Sequence, residues 1–298
     1  MTDSPDLPIF SPALAEHLQL SPPEFLYHYT GQDGLLGIVN SGSLWATNIS
    51  YMNDATEFHR PLSMLRDHLR EELERREHEA KHFSTRNASW AAAAEGVTRR
   101  LRLLRSKLNK VQDTTICVAC FCEDGDLLSQ WRGYTAHGYG YSLGFKSALL
   151  KESAIPSGFI LGRCIYKPPL QRKIIDESLE HLLRSSAPDD ERSIVQELLD
   201  ILRFTAFFKD QSFDQEQEWR LLSTNRVSLK QTRFRSGKSM IIPYTSLEIG
   251  DGNSSSIEHV YVGPCPHMDL SISSVRRLLI QRGIEPHIHE SAIPFRDW

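Results

Sequence analysis

The chain has 298 residues, 40% hydrophobic and 24% charged, with a net charge of −4. That is ample for a sizeable core, and the mildly acidic balance gives no global pull toward nucleic acid or a membrane surface. Five cysteines in so long a chain fit a reducing cytoplasm better than a disulfide framework. The opening Met1-Thr-Asp-Ser-Pro-Asp6 lacks a basic region and an apolar core, so no secretion signal is expected. No apolar run approaches membrane-spanning length.

Residues 1–24 read as a loosely packed tail bearing Pro and Ser, ahead of a single α+β domain over 25–298. Phe25-Leu-Tyr-His-Tyr-Thr30, set between Pro22-Pro23 and Gly31, predicts a first strand. Leu35, Leu36, Ile38 and Val39 at helical spacing, stopped by Gly42, predict a helix, and Leu44–Thr47 a second strand. Asn53 and Asp54 precede a helical run with Glu57, so they suit either a capped helix start or a site role. From Pro61 to about Gln112 the chain turns strongly charged. Leu62, Leu65, Leu69 and Leu73 mark one helix, and Leu101, Leu104 and Leu108 a second, with Ser84–Ser89 between them. This predicts a helical hairpin inserted into a mostly β core. Its second helix carries Arg99, Arg100, Arg102, Arg105, Lys107 and Lys110, a basic face open to a nucleic-acid or a plain solvated reading.

Thr115–Cys122 is the clearest buried strand. Cys117, Cys120 and Cys122 have no second Cys/His pair at zinc-site spacing, so they read as small buried thiols and no metal site is expected. Asp126–Tyr134 predicts a short helix that clusters Ser129, Trp131 and Tyr134. Gly138–Phe145 alternates glycine with aromatic and apolar residues, as a strand does where another backbone or a flat ligand lies close. Phe159–Tyr166 reads as a strand stopped by Pro168-Pro169, and two helices follow at about 170–185 and 189–209. Strands at Glu216–Leu222, Ser239–Tyr244 and Ile257–Gly263, a helix at Ser271–Arg282 and a strand at Pro286–His289 complete an α+β pattern.

Two stretches carry most of the chemistry. Glu216 and Glu218, two apart in a strand-like run, would point to one face. Fixed carboxylates there suit the positive charge that develops on a sugar as a glycosidic bond breaks. His28 reads either as a satisfied core histidine or as their partner across a cleft. Tyr51, Trp131 and Tyr134 could stack on a planar leaving group, or simply pack in the core.

Tyr27-His28-Tyr29-Thr30, followed by a helix, a glycine and Leu44-Trp-Ala-Thr47, resembles the opening of ADP-ribosyltransferase-like domains. That resemblance implies a split β-sheet core, here with an inserted helical hairpin and additional helices, and NAD as co-substrate. His28 would hold the ribose hydroxyls, Glu218 would orient the ribose and stabilise the oxocarbenium centre, and Glu216 would help choose the acceptor. Tyr29, Thr30, Tyr51, Asn53, Ser129, Trp131, Arg132 and Tyr134 would line the pocket, the middle residue of the pattern falling at Tyr51 or within Ser129–Tyr134. Roughly residues 25 to 295 also resemble a bacterial family catalogued only as a domain of unknown function. The marks are Tyr-His-Tyr-Thr, Met52-Asn-Asp-Ala-Thr-Glu57, Cys120-Phe-Cys, Ser129-Gln-Trp-Arg-Gly-Tyr134 and Glu216-Gln-Glu-Trp-Arg220. The acceptor would be a macromolecule, nucleic acid or protein, met by the basic helix around Arg99–Lys110, and the setting a bacterial toxin or a phage-defence effector.

Two other readings compete. Asp214, Glu216 and Glu218 could hold magnesium in a nuclease, although Arg220 stands where such enzymes place a lysine. Alternatively, His28 and Glu218 form a buried polar pair in a non-catalytic binding or regulatory module.

Overall fold

A computed structural model describes residues 9–52, 56–83, 88–108, 115–134, 139–184, 190–225, 227–237, 239–249 and 256–294. Asn53, Asp54 and Lys110 lie outside them, so the expected cap at the first pair and the last basic position do too. The first elements are α1 (Pro12–Leu18), β1 (Phe25–Thr30), α2 (Gln32–Ser41), β2 (Ser43–Asn48), α3 (Thr56–Phe83) and α4 (Ala88–Lys107). Then come β3 (Cys117–Phe121), α5 (Leu128–Tyr134), β4 (Tyr141–Lys146), α6 (Ser147–Ala154), β5 (Phe159–Arg163), α7 (Pro168–Arg184) and α8 (Glu191–Thr205). The chain closes with β6 (Trp219–Ser223), β7 (Arg233–Ser236), β8 (Ile241–Glu248), β9 (Ile257–Val262), α9 (Met268–Gln281) and β10 (His287–Glu290).

The strands form two mixed-order sheets. One has the order β1-β4-β9-β10, antiparallel except for the β9–β10 pair; the other, β5-β6-β3-β2-β8-β7, is antiparallel throughout. They meet at one seam, where Tyr27 of β1 and Cys122 just beyond β3 exchange backbone hydrogen bonds of 2.9 and 2.8 Å. Strand alternation then sorts the side chains. Leu26, Leu143, Phe145 and Val260 from the first sheet share a core cluster with Leu44, Ala119, Phe121 and Leu221 from the second. The opposite face of the six-stranded sheet presents Val118 and Leu222 to a second cluster built from α3, α4, α7 and α8.

That second cluster changes the meaning of the helical hairpin. Leu65, Leu69, Leu101 and Leu104 are fully buried against Ile175, Leu198 and Leu202, so α3 and α4 are half of a four-helix layer rather than an outlying arm. The chain before β1 also differs from a loose tail. Ser11 caps α1 by accepting from the Leu14 amide at 3.1 Å and donates to Glu177 at 2.6 Å, while Pro12 occupies the first turn and Leu14 is buried. Pro168 and Pro169, expected only as a stop, open α7, where a missing amide costs nothing. The short α6 and β7 were not legible in the pattern; β7 is a four-residue edge strand with largely exposed positions.

Candidate functional site

β1 places His28 against the end of β3. The Cys120 carbonyl can only accept, so the 2.8 Å contact with His28 Nδ1 is a donation from the ring. The neutral imidazole therefore keeps Nε2 as an acceptor. Burial holds the His28 pKa below its usual value; the Cys120 bond opposes that shift and the charge of Arg235 adds to it. The residue is half-buried by exposure, and its ring lies 5.7 Å from that of Phe121.

The carboxylates are arranged differently from the strand pair expected. Glu216 ends a 3-10 turn over Gln211–Glu216, and Gln217 then adopts a left-handed conformation at φ 44°, ψ 49° before β6 begins at Trp219. Glu216 and Glu218 are therefore brought together by a kink, not by pleat alternation. Both accept from the Lys209 ammonium, and Glu218 Oε1 also accepts from Arg220 Nε at 2.6 Å. Arg220 in turn donates to the Ala206 carbonyl at 2.6 Å, and the Glu218 amide donates to the Tyr166 hydroxyl at 2.8 Å. Two carboxylates thus face two cations in one network.

Glu218 is 1% exposed and Arg220 0%. Burial alone would push the Glu218 pKa up, but Arg220 and Lys209 outweigh it and hold the carboxyl down to about 2. Burial likewise works against the Lys209 ammonium, and Glu218 more than compensates, keeping it charged well above its usual range. The nearby Cys120 side chain also favours the ionised form of Glu218. Cys120 thus lies between the two: its carbonyl accepts from His28, and its register partner on β6 is Arg220, which holds Glu218. No direct His28–Glu218 hydrogen bond is formed among the described residues.

Most of the other candidates lie elsewhere. Tyr134, at the end of α5, packs against the Tyr29–Cys122–Trp131 cluster; burial raises its pKa, and the charge of Glu218 raises it further. Tyr29 and Trp131 form a clamp within that cluster. Tyr29 Oη donates to the Asp124 carbonyl at 2.9 Å and accepts from the Leu127 amide at 2.8 Å, and its ring meets the fully buried Trp131 edge-on at 4.7 Å. Trp131 Nε1 donates to Asp126 at 2.8 Å. These contacts fasten α5 to β1, and leave neither ring free to stack on a ligand. Thr30 lies at the β1 end against Gly34, whose α-carbon leaves room for its hydroxyl. Tyr51, Ser129 and Arg132 are exposed, and Asn53 is outside the described residues. Gly144 of β4, in the stretch expected to lie close to another backbone or a flat ligand, admits the side chains of Tyr27 and His259, which a Cβ would meet at 2.7 and 2.9 Å.

Sequence reasoning missed Lys209, which lies in the loop after α8 and becomes a partner of Glu216 and Glu218 only in three dimensions. Lys209 occupies the position that the magnesium reading needs, and among the described residues no group of three His, Cys, Asp or Glu side chains is arranged to hold a metal. On the basic helix α4, Arg100 is buried, forked onto Glu197 at 2.8 and 2.7 Å, while Arg102 pairs with Glu77 and Lys107 with Glu191. The face is less positive than its sequence suggests.

A family model described as a protein of unknown function (DUF2971) matches residues 130–221. That stretch runs from α5 to β6 and contains Tyr134, Lys209, Glu216, Glu218 and Arg220. No curated protein and no solved structure matches the chain.

Proposed function

We propose that the protein is an ADP-ribosyltransferase-like enzyme that cleaves the nicotinamide–ribose bond of NAD and passes ADP-ribose to a macromolecule. The observation that carries this reading is that one residue of β3, Cys120, accepts from His28 of β1 through its carbonyl and pairs in register with Arg220, which donates to the buried Glu218. His28 Nε2 is the acceptor for a ribose hydroxyl. Glu218, kept ionised, supplies fixed negative charge toward the oxocarbenium centre, an interaction stronger in the transition state than in the ground state. Glu216, whose side chain is 14% exposed, is the carboxylate nearer the acceptor. The toxin or phage-defence setting rests on the sequence resemblance alone.

The test is nicotinamide release from NAD in chelator, comparing wild type with Glu218→Gln and His28→Ala at equal folded fraction. Loss of one preorganised charge is expected to lower release by about 100-fold or more. Undiminished release from Glu218→Gln removes that residue from the mechanism. An acceptor assay with Arg99, Arg102 and Arg105 reversed in sign asks whether α4 contacts the macromolecule; unchanged modification would reject that role.

One observation favours a second reading. Both oxygens of Glu218 are taken by Lys209 and Arg220, as in a purely structural ion network. If wild type releases no nicotinamide even with lysate as acceptor source, a binding or regulatory module becomes the better account.

A further inference from the structure

Four Lys or Arg side chains are buried among the described residues, and each has an acidic partner: Arg100 has Glu197, Arg203 has Asp200, Lys209 has Glu216 and Glu218, and Arg220 has Glu218. Arg235 breaks the pattern. It stands on the edge strand β7 and reaches past β8 to Thr47 of β2, where Nη2 donates to Oγ1 at 3.2 Å. Its Nε is shut off from solvent and has no acceptor. Burial works against its charge, and the phenol of Tyr244 is the one titratable group that supports it. A half-buried guanidinium with an unmet donor and no carboxylate is a standing cost to the fold.

Its surroundings say where the missing charge belongs. Thr47 pairs with Val118 of β3, two residues before the Cys120 whose carbonyl accepts from His28, and the positive charge of Arg235 helps to lower the His28 pKa. A planar guanidinium suits phosphate oxygens better than any other common anion except a carboxylate, and among the described residues no carboxylate pairs with it.

We infer that Arg235, held by Thr47 at the end of β2, is an anion anchor and binds a phosphate or pyrophosphate group of the ligand. The inference rests on the NAD reading only for the rest of that ligand; the anion site stands or falls by itself.

The test uses inorganic pyrophosphate as probe against the full chain, with sodium chloride matched for ionic strength. Wild type should be stabilised thermally by millimolar pyrophosphate, and Arg235→Gln should lose that response, its affinity falling about tenfold or more. Arg235→Lys, which keeps the charge but not the fork, should fall between them. Without ligand, Arg235→Gln should melt at the same temperature as wild type or higher, because an uncompensated charge has been removed. A lower apo melting temperature for Arg235→Gln would make Arg235 structural and overturn the inference, as would no response of the wild type or equal responses from wild type and glutamine variant. Pyrophosphate binding without nicotinamide release keeps the anchor and removes the NAD reading. Nicotinamide release with no pyrophosphate effect does the reverse.

Discussion

At Glu218, burial and pairing act in opposite directions on one carboxyl, and pairing wins. Its folded pKa of about 2 lies below the ordinary value of 4.5. The sign of the pH dependence follows: the folded state binds fewer protons than the unfolded chain, so this stabilisation is fully present above about pH 4.5 and is lost as pH falls toward about 2. Urea titrations across that window should show a steep acid limb in wild type and a flatter one in Glu218→Gln. At neutral pH the same change should cost about 3 kcal/mol, because Lys209 and Arg220 are left buried with Glu216 as their remaining carboxylate in the network. If the denaturation midpoint is unchanged by the substitution, the network does not hold this part of the fold. The spacing predicted both glutamates on one face of a strand; they precede β6 instead and meet at Lys209 through a kink. Residue spacing encodes a pleat, whereas a left-handed residue and a lysine from another loop are invisible to it.

Among elements, the turn into β6 is the one whose backbone departs from ordinary ground. Gln217 is the non-glycine residue with positive φ among those described, a conformation that costs about 1 kcal/mol and survives where neighbouring contacts demand it. Here those contacts are the Lys209 bonds on either side, to Glu216 and Glu218. A β-branched residue tolerates that conformation worst, so Gln217→Val should destabilise by about 1–2 kcal/mol and Gln217→Gly by much less. Equal melting temperatures for the two variants would mean that the kink is not under strain. The hairpin of α3 and α4 makes a different point. Its basic second helix suggested a recognition element within an inserted hairpin, and its leucines are core residues. Leu69→Ala should cost about 3 kcal/mol by equilibrium unfolding, the usual range for a fully enclosed leucine. A change below about 0.5 kcal/mol would place that helix outside the cooperative core.

The whole molecule is a pair of sheets with one layer of four helices over the larger, and the layer is continuous across distant segments. Removing residues 61–112 should therefore leave no cooperative unfolding transition by circular dichroism, since it strips the cover from Val118 and Leu222. A soluble deletion that melts cooperatively would show instead that the hairpin is separable. By itself the sequence determined the order and kind of most elements and the α+β class, because periodicity of 2 or 3.6 residues is a local property. It also placed His28 on the first strand, and put Glu216 and Glu218 inside a late strand that begins only at Trp219. Only the tertiary structure decided that Cys120 accepts from His28, that Tyr29 and Trp131 are a clamp, that Lys209 neutralises both glutamates and that Arg235 has no acidic partner among the described residues. Those are pairings between residues far apart in the chain, fixed by how sheets and helices pack, and no window along the sequence contains both members of a pair.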